Sequence, residues 1–229
     1  MMIGPMPSPI GHALAGVATA LMGERDTPAS PFTPERLLTP DLKVGPTESA
    51  AKRPTMVCHN AMRGRRVGPV STLTVVCAVL AMLPDIDLLY LPLHRTATHS
   101  VFAALLIFIV AASVTGWVTG RVSWRVAIVC GAAYGSHILC DWMGKDASIP
   151  HGIQALWPFS DRWFISQWPL FPGTERRQVF SERSILINLW ALVAELAIFG
   201  PVVVALWLRR TRRSRGPISG QGGRQQPSA

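Results

Sequence analysis

Apolar residues gather along the chain into four long blocks and one short one, separated by stretches rich in proline, glycine and charge. The short block comes first. Residues 10–23 are small and apolar and end at Gly23, which predicts a helix too short to span a bilayer alone. Composition changes abruptly at Glu24: Pro28, Pro31, Pro34, Pro40, Pro46 and Pro54 break any helix there, so 24–68 reads as a flexible insertion outside the core. Val70 to Tyr90 is apolar until Pro84, which removes a backbone donor and kinks or ends that helix. Ser100 to Thr119 is a continuous apolar run, with Thr98 as the expected N-cap. A tight turn, Gly120 to Ser123, leads into a fourth run from Trp124 to Met143. Residues 144–183 are polar and rich in tryptophan and proline, and read as a lid or outer loop. The last run, Ile185 to Leu208, is the strongest membrane candidate, stopped by Arg209, Arg210, Arg212 and Arg213 and followed by a Gly/Gln/Pro tail.

These blocks predict an all-α protein, an integral membrane helical bundle of about four long helices plus one short N-terminal helix. The implied organisation is a short helix within 1–23, the insertion 24–68, a membrane domain over 69–208 with its outer loop 144–183, and a basic disordered tail over 209–229. Composition agrees. A chain that is 49% hydrophobic and 15% charged lacks the polar surface of a soluble globule. Its net charge of +9 would suit nucleic acid, but the basic residues sit beside apolar runs rather than among aromatic stacking platforms, so no nucleic-acid partner is expected. Cys58, Cys77, Cys130 and Cys140 have neither metal-site nor redox-motif spacing, and three lie in apolar runs as small packing residues. No cleavable signal peptide is visible at the start of the chain.

Positive charge also predicts an orientation. The clusters at Arg63 to Arg66, at Arg121 and Arg125, and at Arg209 to Arg215 would all be cytoplasmic. Threading the helices alternately from them puts 16 of the 22 Lys and Arg on the cytoplasmic side and brings one set of polar residues to the outer ends of the runs. That set is the unusual feature of the sequence, because an unpaired carboxylate inside an apolar run is costly and a bound cation is the simplest remedy.

His137 and Asp141 are four apart on one helical run, so both project from the same face and could share a metal; a hydrogen-bonded polar pair is the plainer alternative. Asp85 and Asp87 are two apart and point to different sides of a regular helix. Both reach one ion only if Pro84 opens the turn; otherwise one binds and the other acts as base, caps, or orients a histidine. His99 could be an interfacial histidine, His94 an ordinary loop residue, and His12 a residue near a helix start. Taken together they read as a His/Asp centre without cysteine, suited to zinc, manganese or iron, with one or two ions. Arg95 is a candidate anion clamp for a substrate phosphate or carboxylate, or a headgroup partner at the interface. Trp157, Trp163 and Trp168 fit an interfacial aromatic belt or a substrate entrance.

The ordered set of His12 with Gly16, Leu83-Pro84-Asp85-Ile86-Asp87, His94-Arg95 with Thr98-His99-Ser100, His137 with Asp141, and Gly152 followed by Trp157-Pro158-Phe159-Ser160-Asp161-Arg162 resembles the YdjM family. That family is described as LexA-regulated, membrane-bound, metal-dependent hydrolases distantly like zinc-dependent phospholipase C. The resemblance covers residues 10–23 and about 70–208. It implies a multi-pass protein of the bacterial inner membrane with His12, Asp85, His99, His137 and Asp141 as metal ligands. Where the family has a short link, this chain has its proline-rich 24–68 segment. The expected chemistry is attack of a metal-activated water on an ester or phosphoester, with Asp87 as base or orienter. A site at the bilayer rim favours a lipid or lipid-linked substrate. The rival expectation is a non-catalytic membrane protein with a structural or metal-handling site.

Overall fold

The computed structural model describes residues 7–23, 71–89, 94–146, 149–175 and 180–214. The expectations for 24–68, for Arg63 to Arg66, for Cys58 and for the tail beyond Ser214 lie outside these residues. Among the described residues five α-helices follow one another: α1 (Pro9–Gly23), α2 (Thr72–Met82), α3 (Val101–Thr119), α4 (Trp124–Trp142) and α5 (Glu182–Ser214). The described residues hold no strand, only isolated bridges between Gly144 and Phe171 and between Ile153 and Phe164. The stretches Thr72–Leu89, Val101–Thr119 and Glu182–Arg212 are long and apolar enough to cross a membrane, and the chain is an integral membrane helical bundle.

Local signals set most boundaries. The Ser71 hydroxyl caps α2 by accepting from the Thr74 amide. Pro84 ends the α-helical part of that run, and a 3-10 segment, Leu83–Leu89, carries it on. Thr98 is not the N-cap of α3. A second 3-10 turn, Ala97–His99, precedes the helix, the Thr98 hydroxyl turns to Asp87, and Ser100 takes the cap by accepting from the Ala103 amide at 3.1 Å. Gly120 closes α3 in the left-handed region that a residue without Cβ enters freely. The expected stop of the last run near Leu208 is also corrected: α5 continues through Arg209, Arg210 and Arg212 to Ser214, since arginine is a good helix former.

α4 is the central element. It packs against α1, α2 and α3, and nine of its residues are buried, from Ala127 to Asp141. Small side chains allow this: Ala20, Cys77, Val129 and Ala133 form one core cluster where α1, α2 and α4 meet. Gly16 of α1 lies directly against the Cys77 carbonyl of α2, leaving no room for a side chain. Such close backbone approach is how helices associate in lipid, where apolar area alone gives little drive. Cys77, Cys130 and Cys140 are buried and form no disulfide among the described residues, as packing residues should.

The stretch after α4 is tied down rather than open. Ile153 and Phe164 exchange both backbone hydrogen bonds at 3.0 and 2.8 Å, Lys145 donates to the Phe171 carbonyl, and the Val101 and Gln154 amides bind the Ala155 and Arg95 carbonyls. It closes the end of the bundle at which α2 finishes and α3 begins.

Candidate metal centre

Four separate pieces of chain bring side chains to one buried point at this end. α1 supplies His12, the 3-10 segment after α2 supplies Asp85, the turn before α3 supplies His99, and α4 supplies His137 and Asp141 one turn apart. His12, His99 and His137 are fully buried, and Asp141 nearly so. His99 Nε2 lies 3.1 Å from both His137 Nε2 and Asp141 Oδ2. His137 Nε2 is 3.3 Å from Asp141 Oδ2 and 3.7 Å from Asp85 Oδ1, which is 3.9 Å from His99 Nε2. On the far side His12 Nε2 stands 3.3 Å from Asp141 Oδ1, its ring stacked on His137 with centroids 3.8 Å apart.

These separations match the edge of a coordination shell: two donors on a tetrahedral zinc with bonds of 2.0–2.1 Å sit about 3.3 Å apart. The donors form two overlapping groups, His12 with His137 and Asp141, and Asp85 with His99 and His137, so the set accommodates one ion or a close pair. His12 Nδ1 and Nε2, Asp85 Oδ1 and both Asp141 carboxylate oxygens are buried with no hydrogen-bond partner among the described residues. Buried polar atoms in native proteins are nearly always satisfied, and a cation at this point would satisfy all of these but the outer nitrogen of His12.

The surrounding groups prepare the donors. His137 Nδ1 lies 2.7 Å from the Ala81 carbonyl, a pure acceptor, so Nδ1 carries the proton and Nε2 presents its lone pair inward. His99 Nδ1 faces Asp87 Oδ2 at 3.1 Å in the same way. Burial draws the His99 imidazole down, but Asp141 and Asp87 outweigh it and push its pKa up to about 9. A cation entering here competes with a proton for this ring. Tyr134 of α4 donates to the Thr98 carbonyl at 2.7 Å and holds the His99 turn in register.

The remaining expected residues fall one layer out. Asp87 accepts from His94 Nδ1 at 2.6 Å through Oδ1, and from the Arg95 amide and the Thr98 hydroxyl through Oδ2. With both oxygens engaged by these neighbours, it stands behind His99 as an orienting group. His94 belongs to neither donor group; its ring bonds Asp87 instead. Arg95, at a positive φ of 65°, pairs its guanidinium with Asp146, whose carboxylate also accepts from the Gly152 amide at 2.7 Å. Arg95, Lys145 and Asp141 line one small cleft. Of the three tryptophans, Trp168 is largely exposed, while Trp157 and Trp163 are half-buried.

The family model described as the YdjM inner membrane protein matches residues 6–213. The chain belongs to the YdjM family. Its inner-membrane character and its bundle of apolar helices follow together. No curated protein and no solved structure matches the chain significantly.

Two residues of this neighbourhood escape sequence reading. Asp146 has no local signal, because its partner Arg95 is 51 positions away. Glu195 does carry one: it is the single acid between Ile185 and Leu208 in α5. It is fully buried against Ser8, 187 positions away.

Proposed function

We propose that this protein is a membrane-bound, metal-dependent hydrolase acting on an ester or phosphoester of a lipid or lipid-linked substrate. One observation carries the reading: five His and Asp donors from four pieces of chain converge, and the inward atoms of His12, Asp85 and Asp141 lack hydrogen-bond partners among the described residues. A divalent metal there, zinc first and manganese or iron as alternatives for this donor set, would supply Lewis acidity and bring a water's pKa toward neutrality. His12, Asp85, His99, His137 and Asp141 would hold it. Asp87 keeps the His99 ring aimed and its inner nitrogen free of the ring proton. Arg95 and Lys145 put positive charge on the cleft beside Asp141, where an anionic ester group would be oriented.

An apolar groove supports the lipid part of this reading. It measures about 440 Å³ and is lined by residues including Val101, Ile138, Trp142, Leu156 and Phe164. Ile153 lines both groove and cleft, so a chain lying in the first would leave its polar end at the second. The topology proposed is a site toward the outer face with the C-terminal end cytoplasmic. Arg125 supports it, because its Nε donates to the Gly23 carbonyl at 2.9 Å, at the end of α1 remote from His12.

Detergent-purified protein should carry at least one equivalent of metal, reduced in His137→Ala and Asp85→Ala, and should hydrolyse one member of a panel of phospholipids and generic phosphoesters. Metal-free wild-type protein with no uptake on titration would sink the reading. A non-catalytic structural or metal-handling site has support of its own, since all three histidines are fully buried and structural sites are closed. Under that alternative Asp141→Asn unfolds the protein; under the hydrolase reading it removes turnover and leaves the bundle intact.

A further inference from the structure

We infer that Glu195 is a positioning residue for His12: from the middle of α5 it grips the start of α1 and thereby sets one donor of the metal centre. The inference rests on His12 being a ligand, as proposed above. The Glu195 side chain is fully buried in an otherwise apolar span, where an acid is retained only for a purpose. Its Oε1 accepts from the Ser8 amide at 2.6 Å, and its Oε2 bonds the Ser8 hydroxyl. Ser8 is the residue whose carbonyl accepts from the His12 amide at 3.2 Å, so the gripped residue and the donor are one helical turn apart. The carboxylate lies flat on Gly11, where an added Cβ would fall 2.6 Å from Glu195 Cδ. The Ser8 hydroxyl in turn accepts from the Gly11 amide at 3.2 Å. A negative group on these first-turn amides also suits the positive end of the α1 dipole.

α5 gives no ligand to the centre, yet it fixes the height and rotation of the helix that does. The test is cobalt titration of the metal-stripped, full-length protein in detergent, reading both affinity and the visible ligand-field spectrum. Wild type is set beside His12→Ala, Glu195→Ala, Glu195→Gln and the double variant of His12→Ala with Glu195→Ala. Glu195→Ala should weaken cobalt binding about 10- to 100-fold and give the spectrum of His12→Ala. The double variant should bind no more weakly than His12→Ala, the signature of two residues acting through one contact. Glu195→Gln, which keeps one acceptor oxygen, should fall between wild type and Glu195→Ala.

Wild-type affinity and spectrum in Glu195→Ala would overturn the inference, as would losses that multiply in the double variant or cobalt binding indifferent to His12→Ala. Should Glu195→Ala fail to fold, Gly11→Ala displaces the carboxylate by sterics alone: the spectrum of His12→Ala supports the inference and a wild-type spectrum overturns it. Failure of the metal reading looks different, since wild-type protein would then take up no cobalt.

Discussion

α3 and α4 are both 19 residues long, are joined by a four-residue turn and lie against each other, yet they are built in opposite ways. α3 is the more apolar of the two and the less buried: only Ala112 and Thr115 are enclosed, while Phe102, Leu105, Leu106, Ile109 and Val110 face outward. α4 carries His137 and Asp141, a tyrosine and two cysteines, and buries nine positions. In water the more apolar helix would go inside. Here it meets the lipid, and the interior goes to small and polar residues that pack closely and hold donors. Of these two helices, the more apolar is the one left on the outside of the bundle.

Substitutions at matched depths test this division. The largest effect belongs to α4: Asp141→Asn should reduce hydrolysis to background and weaken metal binding by more than about 100-fold, its carboxylate being a direct ligand in the proposed centre, while circular dichroism and elution volume stay native. Next comes the layer behind the donors. Asp87→Asn should cost about 10- to 100-fold in metal affinity, measured by competition with a chelating dye, because His99 loses the group that aims its ring. Third, Ala133→Leu overfills the α4 interior and should lower stability by about 1–3 kcal/mol, read by thermal unfolding in detergent. Smallest is Leu106→Ala on α3, expected within about 0.5 kcal/mol of wild type and silent toward metal. If Leu106→Ala costs as much as Ala133→Leu, the two helices are not divided as described.

The architecture was legible because apolar runs of membrane length are hard to mistake, and Pro84, Gly120 and Ser123 punctuate them close to the observed ends. His12, Asp85, His99, His137 and Asp141 stood out for a related reason: each is a polar group in or beside a run that discourages them. What sequence did not resolve was the sorting of the donors into layers. Asp85 and Asp87 differ by two positions within a 3-10 segment, and only the fold shows the first facing the centre and the second turned to His94, His99 and Thr98. His94, seven positions from Asp87, likewise gives no sign in the sequence that its Nδ1 meets that carboxylate. Thr98 looked like a cap because its competing partner, Asp87, is 11 residues upstream. Residues 144–183 looked like a lid because backbone bonds such as those between Ile153 and Phe164 leave no mark on composition.

α1 touches α2, α4 and α5 through a backbone carbonyl at Gly16, a guanidinium at Gly23 and a carboxylate at Ser8, each supplied by a different neighbour. Any ion held by the proposed centre would bind only the arrangement in which these contacts are made, because His12 arrives on this helix. Seating of α1 and capture of the ion would then be linked, each strengthening the other by mass action.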